Sequence, residues 1–198
     1  METAILARHG ESEFSVRGAT NGDPLVAVAL TDEGIEQARR LGRLLADVEL
    51  DLCATSEFER AQQTADLALA GRAVPRLIVA ELNDVRFGSF EGKTLDEYRA
   101  WAGDNGPTIP APGGGESRAA TVERYVRAYR VLLARPERTV LVVAHGLPIR
   151  YVLNALADVD PAPRVDQVPY AEPFTLGRAE LERAVERLER WAADPVWR

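Results

Sequence analysis

Two stretches of the chain are apolar without interruption and end alike. Ile5-Leu6-Ala7 leads into Arg8-His9-Gly10, and Val140-Leu141-Val142-Val143-Ala144 leads into His145-Gly146. Neither alternates polar with apolar, so both read as strands buried on both faces, as in a parallel sheet. Strands are predicted over 2–8, 51–55, 76–80 and 139–144. Between them, helical spacing places Ile35, Ala38, Leu41 and Leu45 on one face of a helix over 32–47. Ser56-Glu57-Phe58-Glu59 reads as a capping box opening a helix to about residue 70. Further helices are predicted from Glu116-Ser117 to about 134, from Leu147 to about Ala157, and over about 177–193. The alternation implies an α/β fold, a three-layer α/β/α arrangement with a mostly parallel central sheet, in one domain spanning 1–198. Residues 81–116 break the pattern. They are rich in Gly and Pro, hold one short helix opened by the capping box Thr94-Leu95-Asp96-Glu97, and read as a small cap.

The strand ends matter because ligands in open α/β sheets bind beyond the carboxyl edge. The two histidines of the chain, His9 and His145, both leave the sheet there. Composition narrows the partners. With 24 Lys plus Arg against 31 Asp plus Glu, the net charge of −7 argues against nucleic acid. The amino terminus shows no basic segment or long apolar stretch, so no membrane association and a cytoplasmic location are expected. Cys53, the single cysteine, lies in an apolar stretch and reads as a buried inert thiol. An acidic protein that binds an anion must build a local positive pocket, and the forked guanidinium groups of Arg8 and Arg60 suit phosphate oxygens.

Arg8-His9-Gly10-Glu11-Ser12 after the first strand resembles the signature of the histidine phosphatase superfamily, in its phosphoglycerate mutase-like branch. Further segments follow in the family's order: Leu30-Thr31-Asp32-Glu33-Gly34, Ser56 to Ala65 around Arg60, Leu82-Asn83-Asp84 with Phe87-Gly88, and Ala144-His145-Gly146. The resemblance implies the same three-layer fold and a phosphatase acting on a small phosphomonoester. It implies that His9 attacks phosphorus, that Arg8, Arg60 and His145 contact the phosphoryl group, and that neither metal nor cofactor is required. The backbone of Gly146 joins the substrate-binding set. The attacking nitrogen of His9 carries the lone pair if a backbone carbonyl holds the other nitrogen.

The sequence departs from the family pattern twice. Aspartate stands where many relatives carry the acidic glutamate, so Asp84 is the expected proton donor, with Glu81 as the other candidate. Ser15 stands where relatives often carry asparagine, and Asn21 is a second candidate phosphate ligand if its loop folds back. Arg17, Arg86 and Glu116 are lesser candidates. Two further readings stay open: a cofactor-dependent phosphoglycerate mutase, and a non-catalytic module that binds phosphorylated ligands. The segment between Gly92 and Glu116 is short for a seal over a phosphoenzyme, which favours the phosphatase. In the last helix, Leu181, Val185, Leu188 and Trp191 form a stripe read first as core-facing and second as a homodimer contact.

Overall fold

The structure, a computed structural model, describes residues 1–197. Its elements follow the sequence as β1 (Thr3–Arg8), α1 (Glu13–Val16), α2 (Asp32–Leu44), β2 (Leu52–Thr55), α3 (Glu59–Ala68), β3 (Arg76–Ile78), α4 (Leu95–Asp104), α5 (Arg118–Leu133), β4 (Thr139–Ala144), α6 (Gly146–Leu156), β5 (Pro173–Gly177) and α7 (Arg178–Ala193), with single 3₁₀ turns at Ala80–Leu82 and Gly88–Phe90. The sheet order is β3-β2-β4-β1-β5. Its pairings are parallel except for β5, which runs antiparallel to β1. The expected mostly parallel sheet is present, with this mixed edge added.

The apolar runs work through their period of two. In β1 and β4, Ala4, Leu6, Val140, Val142 and Ala144 join the core beneath α5, α6 and α7. Ile5, Ala7, Leu141 and Val143 instead meet Leu41, Ala61, Ala65 and Cys53 in the core beneath α2 and α3. The α7 stripe is core-facing as first read: Leu181, Val185 and Leu188 are fully buried, and Trp191 stacks on Trp197. Burial pushes the Cys53 thiol up to about 11, so it stays protonated. A third, smaller cluster of Val85, Phe87, Tyr98 and Ala111 holds the segment 81–116 together. The Thr94–Glu97 capping box forms as its sequence predicts.

Local readings fail in three places. β3 ends at Ile78 rather than 80, and β5 lacks an apolar run to announce it, being short, with Pro173 as its first residue and Gly177 as its last. Ser56 does not cap α3. The N-cap is Phe58, with no side-chain cap bond, and the Ser56 hydroxyl is committed elsewhere. No helix among the described residues is long and apolar enough to cross a membrane.

Candidate active site

Register brings the histidines together. Arg8 pairs with Ala144 across β1 and β4, so the next residue of each strand is His9 or His145. The His9 amide donates to the Ala144 carbonyl at 2.9 Å, and the imidazole centroids lie 5.3 Å apart. Gly10 follows because the backbone there presses on the start of α2: a β-carbon would lie 2.5 Å from the Gly34 carbonyl oxygen. The Gly10 amide donates to Thr64 Oγ1 at 2.9 Å, tying this turn to α3.

His9 Nδ1 lies 2.7 Å from the Gly10 carbonyl oxygen. A carbonyl can only accept, so this contact assigns the proton to Nδ1 and the lone pair to Nε2. Arg60 Nε donates to that lone pair at 3.2 Å. Burial, reinforced by Arg60 and then Arg8, holds the His9 pKa well below the ordinary histidine value. The imidazole is therefore neutral at neutral pH, as a nucleophile must be.

Arg60 stands in the first turn of α3 and is 4% exposed. Its Nη1 bonds Asn21 Oδ1, its Nη2 bonds the Asn21 carbonyl at 3.1 Å and approaches His145 Nδ1 at 3.3 Å, and its guanidinium lies over the Phe58 ring. Burial lowers its pKa to about 10, which leaves it charged at neutral pH. Arg8 Nη1 bonds the Val168 carbonyl at 2.8 Å and Gln167 Oε1 at 3.1 Å, while its guanidinium stacks 3.9 Å from the Tyr170 ring centroid. Arg8 Nε is buried without a hydrogen-bond partner among the described residues. A buried donor with no acceptor is costly, and an anionic oxygen beside it would remove the cost. Gly146 opens α6, whose amino-terminal N–H groups favour the same charge. Pro148 fits in that first turn, where no amide bond is lost.

His145 is fully buried and its pKa is held well below the ordinary value by burial, then by Arg60. Asp84 Oδ2 lies 3.7 Å from both His145 Nδ1 and Arg60 Nη2, and Oδ1 accepts from the Val85 amide at 2.9 Å. Burial raises the Asp84 pKa against the opposing pull of Arg60. Arg8, His9, Ser12, Ser15, Asn21, Arg60, Asp84 and Gly146 all line one cleft of about 750 Å³, together with apolar Phe14, Phe87, Leu95, Leu147, Val168 and Pro169.

The outer candidates separate. Ser15 reaches the cleft and exchanges a hydrogen bond with Ser12 at 2.9 Å. Asn21 reaches it as the partner of Arg60, its loop folded back against the cap. Gly22 is needed there, since a β-carbon would lie 1.9 Å from the Val85 carbonyl oxygen. Glu81, Arg17 and Arg86 are not among the described residues of the lining, and neither is His145, which contacts Arg60 and Asp84 beside it. Glu116 is buried and paired with Arg124.

Four contributors escaped sequence reasoning. Ser56 binds His145 and was hidden by its resemblance to a helix cap. Thr64 sits inside the Arg-Ala-Gln-Gln-Thr-Ala match, at the position where α3 meets Gly10. Tyr170 and Gln167 come from a carboxyl-terminal stretch with no recognisable pattern. Among the described residues, no three His, Cys, Asp or Glu side chains converge as a metal-ligand set.

Comparison with known proteins shows the family. The model of the histidine phosphatase superfamily (branch 1) matches residues 4–194. An adenosylcobalamin/alpha-ribazole phosphatase of Escherichia coli is 37% identical over 149 residues, 71% of each chain. A 2,3-bisphosphoglycerate-dependent phosphoglycerate mutase of Azorhizobium caulinodans is 34% identical over 174 residues, 79% of this chain and 82% of that one. The crystal structure of the alpha-ribazole phosphatase from Shigella flexneri superimposes with a TM-score of 0.74 at 32% identity, covering 87% of this chain and 89% of that one.

Proposed function

The chain belongs to the histidine phosphatase superfamily, and we propose that its single domain hydrolyses a small phosphomonoester through a phosphohistidine on His9. The observation that carries the reading is the fixed tautomer of His9, with Nδ1 on the Gly10 carbonyl and the Nε2 lone pair at the cleft beside Arg60.

The chemistry follows from the same groups. Arg8, Arg60, His145 and the start of α6 hold the phosphoryl oxygens and spread the charge that develops on them. His9 Nε2 attacks phosphorus as the P–O bond to the leaving group breaks, and Asp84 gives that oxygen its proton. Water then attacks the phosphohistidine, Asp84 takes the proton back, and the P–N bond breaks to release phosphate and restore His9. A carboxyl with a raised pKa suits both halves, being protonated often enough to donate and basic enough to accept.

The substrate in this reading is a phosphomonoester with a sizeable, partly apolar leaving group. The cleft of about 750 Å³ far exceeds a phosphate, and Phe14, Phe87 and Leu95 line it. Alpha-ribazole phosphate, suggested by the names of the relatives above, is the first compound to test. The mutase-type relatives sustain the second reading. A mutase must shield its phosphohistidine from water, and the cap between Gly92 and Glu116 offers only α4 for that purpose. Following 3-phosphoglycerate and released phosphate together, with and without 2,3-bisphosphoglycerate, separates the two. Primer-dependent isomerisation with little phosphate release would overturn the phosphatase; phosphate release that ignores the primer supports it.

A further inference from the structure

The loop that carries Asp84 has no regular structure, yet side chains hold much of its backbone. Arg124, on α5, sends Nη1 to the carbonyl oxygens of Glu81 at 2.9 Å and Asn83 at 2.7 Å, and Nη2 to that of Asp84 at 3.0 Å. Its Nε and Nη2 also fork onto Glu116, at 2.9 and 2.7 Å. Glu116 in turn accepts from the Arg86 amide at 3.0 Å. Three successive amides, of Val85, Arg86 and Phe87, thus end on three different carboxylates: Asp84 itself, Glu116 and Glu91.

This pair differs from the ion pairs elsewhere on the surface. Arg130 and Glu189, for instance, are both about two-fifths exposed and pair across neighbouring helices. Glu116 is 6% exposed and the Arg124 side chain 14%. Removing two charges from water is expensive unless their hydrogen-bonding capacity is filled. Here it is filled by the backbone of the segment that aims Asp84.

We propose that Arg124, anchored by Glu116, is a positioning residue for proton transfer, holding the Asp84 backbone so that the carboxyl meets the leaving-group oxygen. The proposal rests on Asp84 being the proton donor. With Asp84 Oδ1 bound to Val85, only Oδ2 faces Arg60 and His145, so a small rotation of this backbone would swing the acid off the reacting oxygen.

The test compares kcat/KM on glycerol phosphate, whose alkoxide needs a proton, with 4-nitrophenyl phosphate, whose leaving group needs little. Arg124→Gln is expected to lose about 10- to 100-fold on the alkyl ester and far less on the nitrophenyl ester. Arg124→Lys, which can reach the carbonyls but cannot fork, falls between. Asp84→Asn/Arg124→Gln should lose no more on the alkyl ester than Asp84→Asn alone, because a missing acid cannot be misplaced. Equal losses on both esters for Arg124→Gln, or losses that multiply in the double variant, would overturn the proposal. If Arg124→Gln does not fold, the near-isosteric Glu116→Gln carries the same comparison. Asp84→Asn with equal losses on both esters would overturn the donor assignment and this proposal with it. A split for Asp84→Asn with none for Arg124→Gln would overturn this proposal alone.

Discussion

The Ser56 hydroxyl lies 2.9 Å from Nε2 of His145, and both residues are fully buried. The other ring nitrogen, Nδ1, lies 3.3 Å from Arg60 Nη2. A guanidinium only donates, so that contact requires a lone pair on Nδ1 and puts the proton on Nε2, which donates to Ser56. A phosphate oxygen beside Nδ1 requires the opposite tautomer, with the Ser56 hydroxyl turned round to donate to Nε2. A hydroxyl serves both states by rotating. Ser56→Ala should therefore cost about 1–2 kcal/mol of stability and lower kcat/KM about tenfold, the kinetic equivalent of one net hydrogen bond. Thermal unfolding and steady-state kinetics read the two effects, and an unchanged kcat/KM would remove Ser56 from the account.

The pH profile has a defined sign. His9 must be neutral to attack, and burial with Arg60 and Arg8 lowers its pKa, so the acid limb of kcat/KM should lie below the ordinary histidine value of 6.5. Asp84 must be protonated to donate, and burial raises its pKa, so activity should decline as pH rises through that value. The profile on an alkyl phosphate should be bell-shaped. Comparing wild type with Asp84→Asn on one substrate cancels the ionisation of the substrate itself. The variant should lose the alkaline limb and keep the acid one; an alkaline limb that persists would assign it to another group.

Stability should respond to the same burial. The pKa values of both His9 and His145 are depressed in the folded state. The unfolded chain then binds more protons, so stability is lost as pH falls from about 6.5 toward the folded values. The melting temperature should drop between pH 7 and pH 5, and less steeply in His9→Gln. An identical slope in the two proteins would contradict the assignment of a buried neutral imidazole at position 9.

Asn21 holds Arg60 by both its side-chain and backbone oxygens. Asn21→Ala keeps the backbone contact and frees one arm of the guanidinium. Phosphate binding should weaken, seen as a several-fold rise in KM or in the inhibition constant of vanadate, with a smaller change in kcat. A large loss of kcat at constant KM would mean that Asn21 acts in the chemical step.

Much of this site is legible in the sequence because its strongest signals are local. An apolar run that ends in His-Gly specifies a buried strand and the point where it leaves the sheet, and two such runs in neighbouring parallel strands must deliver their histidines to one edge. Arg60 was legible only through the segment around it, since a lone arginine in a first helical turn is usually solvated. The second layer was not legible, because its partners lie far apart in sequence. Ser56 meets His145 across 89 positions, and Arg8 meets Gln167 across 159. Arg124 reads as a surface arginine until the fold lays the Asp84 loop across it.

The central claim is that the phosphoryl group passes through Nε2 of His9. Brief mixing with a phosphorus-labelled monoester, an alkaline quench and peptide mapping test it directly. The account predicts acid-labile, alkali-stable label on the peptide containing His9, formed and consumed at rates matching turnover, and no label in His9→Ala. Turnover without trapped label, label on another residue, or undiminished activity in His9→Ala would contradict it.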